Sequence, residues 1–490
     1  MRDQTHNTTV AAATEAEREQ TKVTAGEPRE QLQVDEPGAD EDVVYPTGVK
    51  LWSAMASIFT VSLLHGLDLT IVAAAVPSVT DQFRAIEDIG WYSSAYSVMA
   101  ASFGFLFGKL YTQASAKWLY LISLACFELG SLFCTVAPTS WFFILGRAIA
   151  GIGAAGTAAG LLVFFGFQEI VTPPVLVQGL SWKEKAKKVD ILGTLIMIPT
   201  TTCLFLALQW GGIRIGWSDV RIIVLFVLFA CFLAAFAWRQ YVLQDAGTLP
   251  PRIFKMRSVL TGTWYTSCVN STLAVTEYYI TIYFQGIKGF TATQSGVLML
   301  PMLLGVAIGS VCGGIGIVRI GYYNPFMIAT SVLAPVASGL LTTVSLDDNL
   351  AKALCLLGFL GLAVGIGLQT PIISLQTVMR PADLSIGIAS LYFGATMGNA
   401  VWIVVSAALF QNRLVAEVAS HSPTTNATLL ENAGLSQIRK AVGEERLRDV
   451  LLGYDTAVTQ TLYLPVGLCV ATVIGSALAE WQSVKKKKKA

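Results

Sequence analysis

Twelve runs of about 20 predominantly apolar residues follow one another along the chain, and nothing else in it constrains the fold as much. Their approximate limits are 51–76, 91–110, 118–137, 142–165, 191–210, 221–238, 259–284, 296–318, 326–345, 353–377, 386–409 and 462–480. A helix rising 1.5 Å per residue needs about 20 such residues to cross the hydrocarbon core of a bilayer. Every backbone N–H and C=O in that core must be paired inside the protein, and a helix pairs its own. Of the 490 residues, 54% are hydrophobic and 13% charged, with a mean hydropathy of +0.60. A soluble domain carries about 25% charged residues. The expectation is an all-α polytopic membrane protein with about 12 transmembrane helices. Two runs, 259–284 and 386–409, are diluted by small and hydroxyl residues.

The flanks are different in kind. Residues 1–46 hold eleven acidic and four basic side chains, a composition that cannot bury a core. Segment 1–48 is expected to be a disordered acidic cytoplasmic tail, with no signal peptide before the first apolar run near Lys50. Basic residues set the orientation. With the N-terminus inside, the cytoplasmic loops hold Lys109 and Lys117, then Lys183, Lys185, Lys187 and Lys188, then Arg239, Arg252, Lys255 and Arg257, then Arg319 and Arg380. The basic tail 483–490 adds Lys485 to Lys489, whereas the outer loops carry only Arg84, Arg214, Arg221, Lys288 and Lys352. Loop 410–461 is long and of mixed charge, so it weighs little in this rule. Both termini are expected in the cytoplasm. Trp52, Trp91, Trp141, Trp217 and Trp481 fall near run ends, as an interfacial aromatic belt does. Asn426-Ala427-Thr428 is a glycosylation sequon on the outer side.

Several chemistries are excluded. All eight cysteines sit in apolar runs and read as small buried hydrophobes rather than disulfides or metal ligands. Three histidines are too few for a membrane His-box metalloenzyme. No phosphate-binding glycine loop followed by Lys-Ser/Thr is present, so this chain carries no ATP drive of its own.

Ionisable residues inside the runs are the candidate site. Arg147 lies in a stretch that is otherwise apolar or small from Trp141 to Gly166. A central arginine costs about 2.5–3.5 kcal/mol on insertion scales, so it is expected to face a polar partner inside the bundle. Its partners are expected to be Asp68 of the first run or Glu128 of the third; a neighbouring arginine favours the charged carboxylate, and their separation favours protonation. A purely structural salt bridge is the alternative. His65 lies one turn before Asp68, on the same helix face. Glu277, with Tyr283 and Gln285 further along the same run, suits a cavity for a large, partly apolar substrate. A helix–helix hydrogen bond is the competing role for either glutamate. The pairs Gly104/Gly108, Gly156/Gly160, Gly309/Gly313, Gly361/Gly365 and Gly394/Gly398 are spaced for close helix contact. A faint internal repeat pairs Gly108-Lys109 with Gly313, Gly314, Arg319 and Gly321.

These residues carry a resemblance. Leu67-Asp68-x-Thr70-Ile71-Val72-x-x-Ala75-x-Pro77 resembles the first-span motif of the major facilitator superfamily, in its fourteen-span drug:proton antiporter branch. Gly108-Lys109-Leu110-Tyr111 through Lys117-Trp118 resembles the loop motif after the second span, without its usual aspartate. Gly146-Arg147-Ala148 through Gly151, Gly153 and Gly156 resembles the fourth-span motif. Ser181-Trp182-Lys183-Glu184-Lys185, Asp190 and Leu208-Gln209-Trp210-Gly211-Gly212 are similar to the linker and seventh span of fungal toxin efflux pumps. Tyr283-Phe284-Gln285, Gln294-Ser295-Gly296 and Phe410-Gln411-Asn412 extend the match over residues 48–482.

One departure stands out. The branch has a fifth span with a Gly-Pro-Gly-Gly motif and then a sixth, whereas here Gly160 runs through Pro173-Pro174 into the Ser181-Trp182 linker. About fifty to seventy residues are missing against the resemblance, and the spans become four plus eight. Domains are then expected at 49–166 (an incomplete N-terminal bundle), 167–258 (linker and two connecting helices) and 259–482 (a C-terminal bundle with an extracellular loop at 410–461). The resemblance implies a monomeric plasma-membrane carrier, not an enzyme, with no cofactor and no nucleic-acid partner. It would export a hydrophobic metabolite or toxin against proton entry. Asp68, Arg147 and Glu128 would couple protons, Glu277, Tyr283, Gln285 and Gln209 would line the cavity, and Gly108, Lys109 and Lys117 would form the loop motif. An importer of a nutrient or siderophore, or a remnant that no longer transports, are the rival expectations.

Overall fold

Every apolar run from residue 89 onward folds into helix in the computed structural model. It describes residues 89–166, 190–211, 215–421 and 444–485, together with Thr60, Asp68, Val79 and Phe83. The tails 1–48 and 486–490, most of the first run with His65, the stretch 167–189 with Ser181-Trp182, and Asn426 lie outside the described residues. Three helices open the described part: α1 (Ile89–Tyr111), α2 (Ala116–Thr135) and α3 (Ser140–Gly166). A pair follows, α4 (Ile191–Trp210) and α5 (Val220–Leu243), then a 3₁₀ turn Gln244–Ala246 and a single turn α6 (Pro251–Phe254). The remainder is α7 (Arg257–Ile282) with a π-helical turn Tyr283–Ile287, α8 (Ala292–Leu298), α9 (Leu300–Ile320), α10 (Asn324–Leu341), α11 (Leu350–Leu368), α12 (Thr370–Val378), α13 (Pro381–His421), α14 (Glu444–Thr461) and α15 (Tyr463–Leu478). Among the described residues, nine helices are long and apolar enough to cross a membrane.

α1 and α7 fall below that standard although they match the expected runs 91–110 and 259–284. Packing explains why. α7 is enclosed by α13, α15 and α12, and α1 by α3, α13 and α4. A helix surrounded by protein does not have to satisfy lipid, so α7 buries Ser258, Ser271, Thr272 and Thr276. α5 is the opposite case, with Ile223, Val224, Val227 and Trp238 exposed along its outward side.

Small residues set the closest approaches. A Cβ at Gly309 would collide with the Leu362 carbonyl, and one at Gly361 with the Met302 carbonyl, so α9 and α11 lie backbone to backbone. At Gly108 a Cβ would lie 2.9 Å from Ala389 Cβ and 3.1 Å from the Ser385 carbonyl, where α1 meets α13. Gly321 ends α9 in the left-handed conformation, with φ +85°.

Two expectations change. The segment 410–461 is not one loop: α13 continues to His421 and α14 resumes at Glu444. Phe410 and Leu414 continue an apolar stripe that packs against Val450, Tyr454 and Val458, with the Phe410 and Tyr454 rings 5.4 Å apart. The cysteines are not uniformly buried either: Cys231, Cys312 and Cys355 are exposed on helix surfaces, and all eight are free.

Candidate functional site

Arg147 is buried to 1% exposure in α3. Its Nη1 donates to Asp68 Oδ2 at 2.7 Å, and its Nε donates to the Tyr92 carbonyl at 3.0 Å. The guanidinium lies 4.5 Å from the centre of the Tyr96 ring. Gly151, one turn on, brings the two helices together, because a Cβ there would collide with the Tyr96 carbonyl. The sequence thus places a fork of donors on α3, a carbonyl and a ring on α1, and a carboxylate on Asp68, and glycine lets them close up.

Beside the pair lies a cavity of about 500 Å³ walled by α1, α4, α7 and α13. Its polar wall residues include Gln209, Asn270, Tyr392, Thr396 and Asn399, and Tyr96 forms part of the α1 side. A second lobe of about 270 Å³ shares Asn270, Tyr392 and Ala395 and adds Thr266 and Gln369. Asn399 Oδ1 accepts from Ser271 Oγ at 3.3 Å, and Asn270 Nδ2 donates to the Thr266 carbonyl at 2.9 Å. Among the described residues no charged side chain lines either lobe.

The expected site residues divide. Asp68 and Arg147 meet, but Glu128 does not join them: it is exposed on the outward face of α2, beside exposed Leu129 and Leu132. Of the four expected cavity residues only Gln209 is in the wall. Glu277 is exposed two turns beyond Asn270 on the same face of α7. Tyr283 and Gln285 sit in the π-helical turn, where the Tyr283 hydroxyl donates to the Ser345 carbonyl at 2.8 Å. Tyr283 lies 13 residues beyond Asn270, about 20 Å further along the helix, and so reaches the loop between α10 and α11 rather than the cavity. Asn270, Tyr392, Thr396 and Asn399 were not singled out from sequence. Their only signal was the dilution of the runs 259–284 and 386–409 by polar residues.

The loop motif closes one end of the bundle. Gly108 lets α1 cross α13, and Lys109 Nζ donates to the Asp245 carbonyl at 2.6 Å. Arg252 then grips Asp383 at the start of α13 with two hydrogen bonds of 2.9 Å and reaches Asp245 at 3.3 Å. Lys117 is exposed and takes no part. Nearby, Asp190 caps α4 by accepting from Gly193 N at 2.8 Å, and it also accepts from Arg239 Nε at 2.7 Å and Gln240 Nε2 at 2.8 Å. Burial alone would raise its carboxyl pKa; the donors from Arg239, Gly193 and Gln240 outweigh burial and hold it below the usual range.

Comparison with known proteins fits this architecture. Residues 58–407 match the model of the Major Facilitator Superfamily, and the chain belongs to that family of membrane transporters. It is 35% identical to the MFS-type transporter astH of Aspergillus oryzae over 94% of this chain and 92% of that one. The MFS-type efflux pump MFS1 of Arthroderma benhamiae is 35% identical over 91% of this chain and 94% of its own. The efflux pump roqT of Penicillium rubens is 35% identical over 86% and 88%. The astH alignment runs over 518 residues, more than the 490 of this chain, so the relative carries residues within it that this chain lacks.

Proposed function

We propose that this chain is a proton-coupled efflux transporter that exports a hydrophobic small molecule, of the secondary-metabolite or toxin kind, from the cytoplasm across the plasma membrane. Relatives named as efflux pumps support export. The observation that carries the coupling is the buried Arg147–Asp68 pair beside a cavity whose described wall residues are uncharged. Protonating Asp68 would leave Arg147 positive and unpaired inside the bundle. An uncompensated buried charge costs about 3–5 kcal/mol, enough to move a two-state equilibrium by about two to almost four powers of ten. Proton binding would therefore favour a different helix arrangement. The bonds from Lys109 to Asp245 and from Arg252 to Asp383 would close the cytoplasmic face in the present arrangement and break in the opposite one. Both termini are cytoplasmic in this proposal, and the carrier works as a monomer by alternate rocking of two helical halves.

Flux in sealed vesicles tests it. Cells or vesicles holding the chain should expel a panel of hydrophobic metabolites, faster when the outside is acidic. Net uptake would instead assign an importer. A second reading, a remnant that does not transport, is favoured by the extra residues in the aligned relative. Absence of any flux at full expression would select it.

A further inference from the structure

The ion pair and the cavity are neighbours, yet the described cavity walls carry no charged group on which substrate and proton would compete. Among the described wall residues, one also touches the ion pair. Tyr92 touches Arg147 but is not in the wall; Tyr96 is in both places. It is 3% exposed, its ring packs 4.5 Å from the guanidinium, and its backbone is seated against Gly151. A ligand entering the cavity meets a ring whose position is already fixed by the cation.

We propose that Tyr96 is the positioning residue that transmits occupancy of the cavity to the Arg147–Asp68 pair, and that the occupant it senses is an uncharged, flat, unsaturated molecule. The proposal rests on the coupling function assigned above. The chemistry follows from the walls. Tyr96, Tyr392 and Phe205 offer ring surfaces, which pair with other π-systems in offset or edge geometry. Gln209, Asn270 and Asn399 offer neutral donors and acceptors, and an unpaired ion among them would not be compensated. A ligand that stacks on or shifts the Tyr96 ring changes the contact that holds the guanidinium against Asp68.

The test needs no transport assay. The full chain in lipid nanodiscs is followed by hydrogen–deuterium exchange across segment 244–256, which carries Asp245 and Arg252, as a function of pH and corrected for intrinsic amide rates. The wild type should show a midpoint, and Asp68→Asn should flatten the curve. Tyr96→Leu should displace the midpoint by about 1.5 pH units, the roughly thirtyfold step that a desolvated cation–π contact is worth, while Tyr96→Phe, which keeps the ring, should restore it. Quinizarin, a neutral planar probe, should move the midpoint in the wild type and in Tyr96→Phe but not in Tyr96→Leu. A wild-type midpoint in a Tyr96→Leu protein that melts normally, with Asp68→Asn still flat, would overturn the role of Tyr96 alone. A pH response absent from the wild type or surviving in Asp68→Asn would overturn the coupling function beneath it. A quinizarin effect absent from the wild type would overturn the stated occupant.

Discussion

Helices α1–α3 and helices α7–α15 stabilise their interiors by different means. The first group has several small apolar clusters around Tyr92, Tyr96 and Phe107 and a buried ion pair between them. The second has one continuous core running from Tyr265 to Ala479; its interior polar contacts are neutral except at Asp455 of α14, a buried carboxylate whose Oδ2 accepts from Leu346 N at 2.9 Å. Thr472 donates or accepts at 2.9 Å from Ser331, which lies 3.0 Å from Ser476, and Thr330 donates to the Ala363 carbonyl at 2.7 Å. The ion pairs described in the second group sit at helix ends, Lys352–Asp348 and Arg448–Asp347 within it and Asp383 to Arg252 of α6. A neutral hydrogen bond between membrane helices is worth about 0.6 kcal/mol, whereas a central charge costs several times that. Neutral groups are cheap enough to shape a cavity wall. On the proposed function, the Arg147–Asp68 pair assigns proton coupling to the first group, and the neutral wall residues of α7 and α13 assign much of the selectivity to the second.

The strongest way to break that division is Arg147→Ala. It leaves Asp68 without its cation, and stability should fall by about 3–5 kcal/mol. Proton-driven flux in vesicles should fall at least about a hundredfold by the same conversion. The double variant with Asp68→Asn should regain much of the stability and none of the coupling. Flux unchanged in Arg147→Ala would remove the pair from the mechanism.

Asp190 asks whether every buried charge here is functional. Its side chain is fully buried, and its Arg239 partner is 29% exposed. Asp190→Ala should cost about 3 kcal/mol through the loss of the pair and its accompanying hydrogen bonds, while the pH dependence of flux keeps its shape. Because its folded pKa is depressed, its contribution is complete above the ordinary carboxylate value of about 3.9 and disappears as pH falls through the lower folded value. Thermal melting of wild type and Asp190→Asn should therefore differ by a constant amount at neutral pH and converge only below about pH 4. A gap that widened on acidification would contradict the assignment.

Gly309→Val probes the second group. The new side chain would meet the Leu362 carbonyl and the Ile366 backbone, forcing α9 off α11 at a cost of about 2 kcal/mol. Detergent melting should show the loss without a change in the pH profile of flux.

How much of this was legible follows from the same physics. Runs of 20 apolar residues announce a span, and Arg147 announces itself because nothing polar surrounds it. Its pairing with Asp68 was legible as one of two options; the choice needed the structure, since sequence does not tell which face of α2 carries Glu128. The cavity was legible least. Its walls come from Asn270, Thr396 and Asn399, whose only trace was the polar dilution of two runs; in α7 that dilution goes with a helix packed among α12, α13 and α15. Tyr283 and Gln285 were misplaced because they lie more than three turns along the helix from Asn270, and the sequence does not tell at what depth along a span a cavity opens.

Glu128 gives the smallest effect and the cleanest boundary for the comparison. It lies on the same bundle as Asp68 and is also a carboxylate within an apolar run, but it projects outward with Leu129 and Leu132, and it makes no ion pair with a described residue. If charge matters only where it is paired inside the bundle, Glu128→Gln should leave flux and its pH profile within about twofold of wild type. Removing an outward-facing charge from an apolar surface should also leave melting unchanged, or raise stability by up to about 1 kcal/mol. Loss of coupling in this variant would mean that a second proton site operates on the outer face of α2, and the division between a charged interior and a neutral cavity would no longer describe the first group.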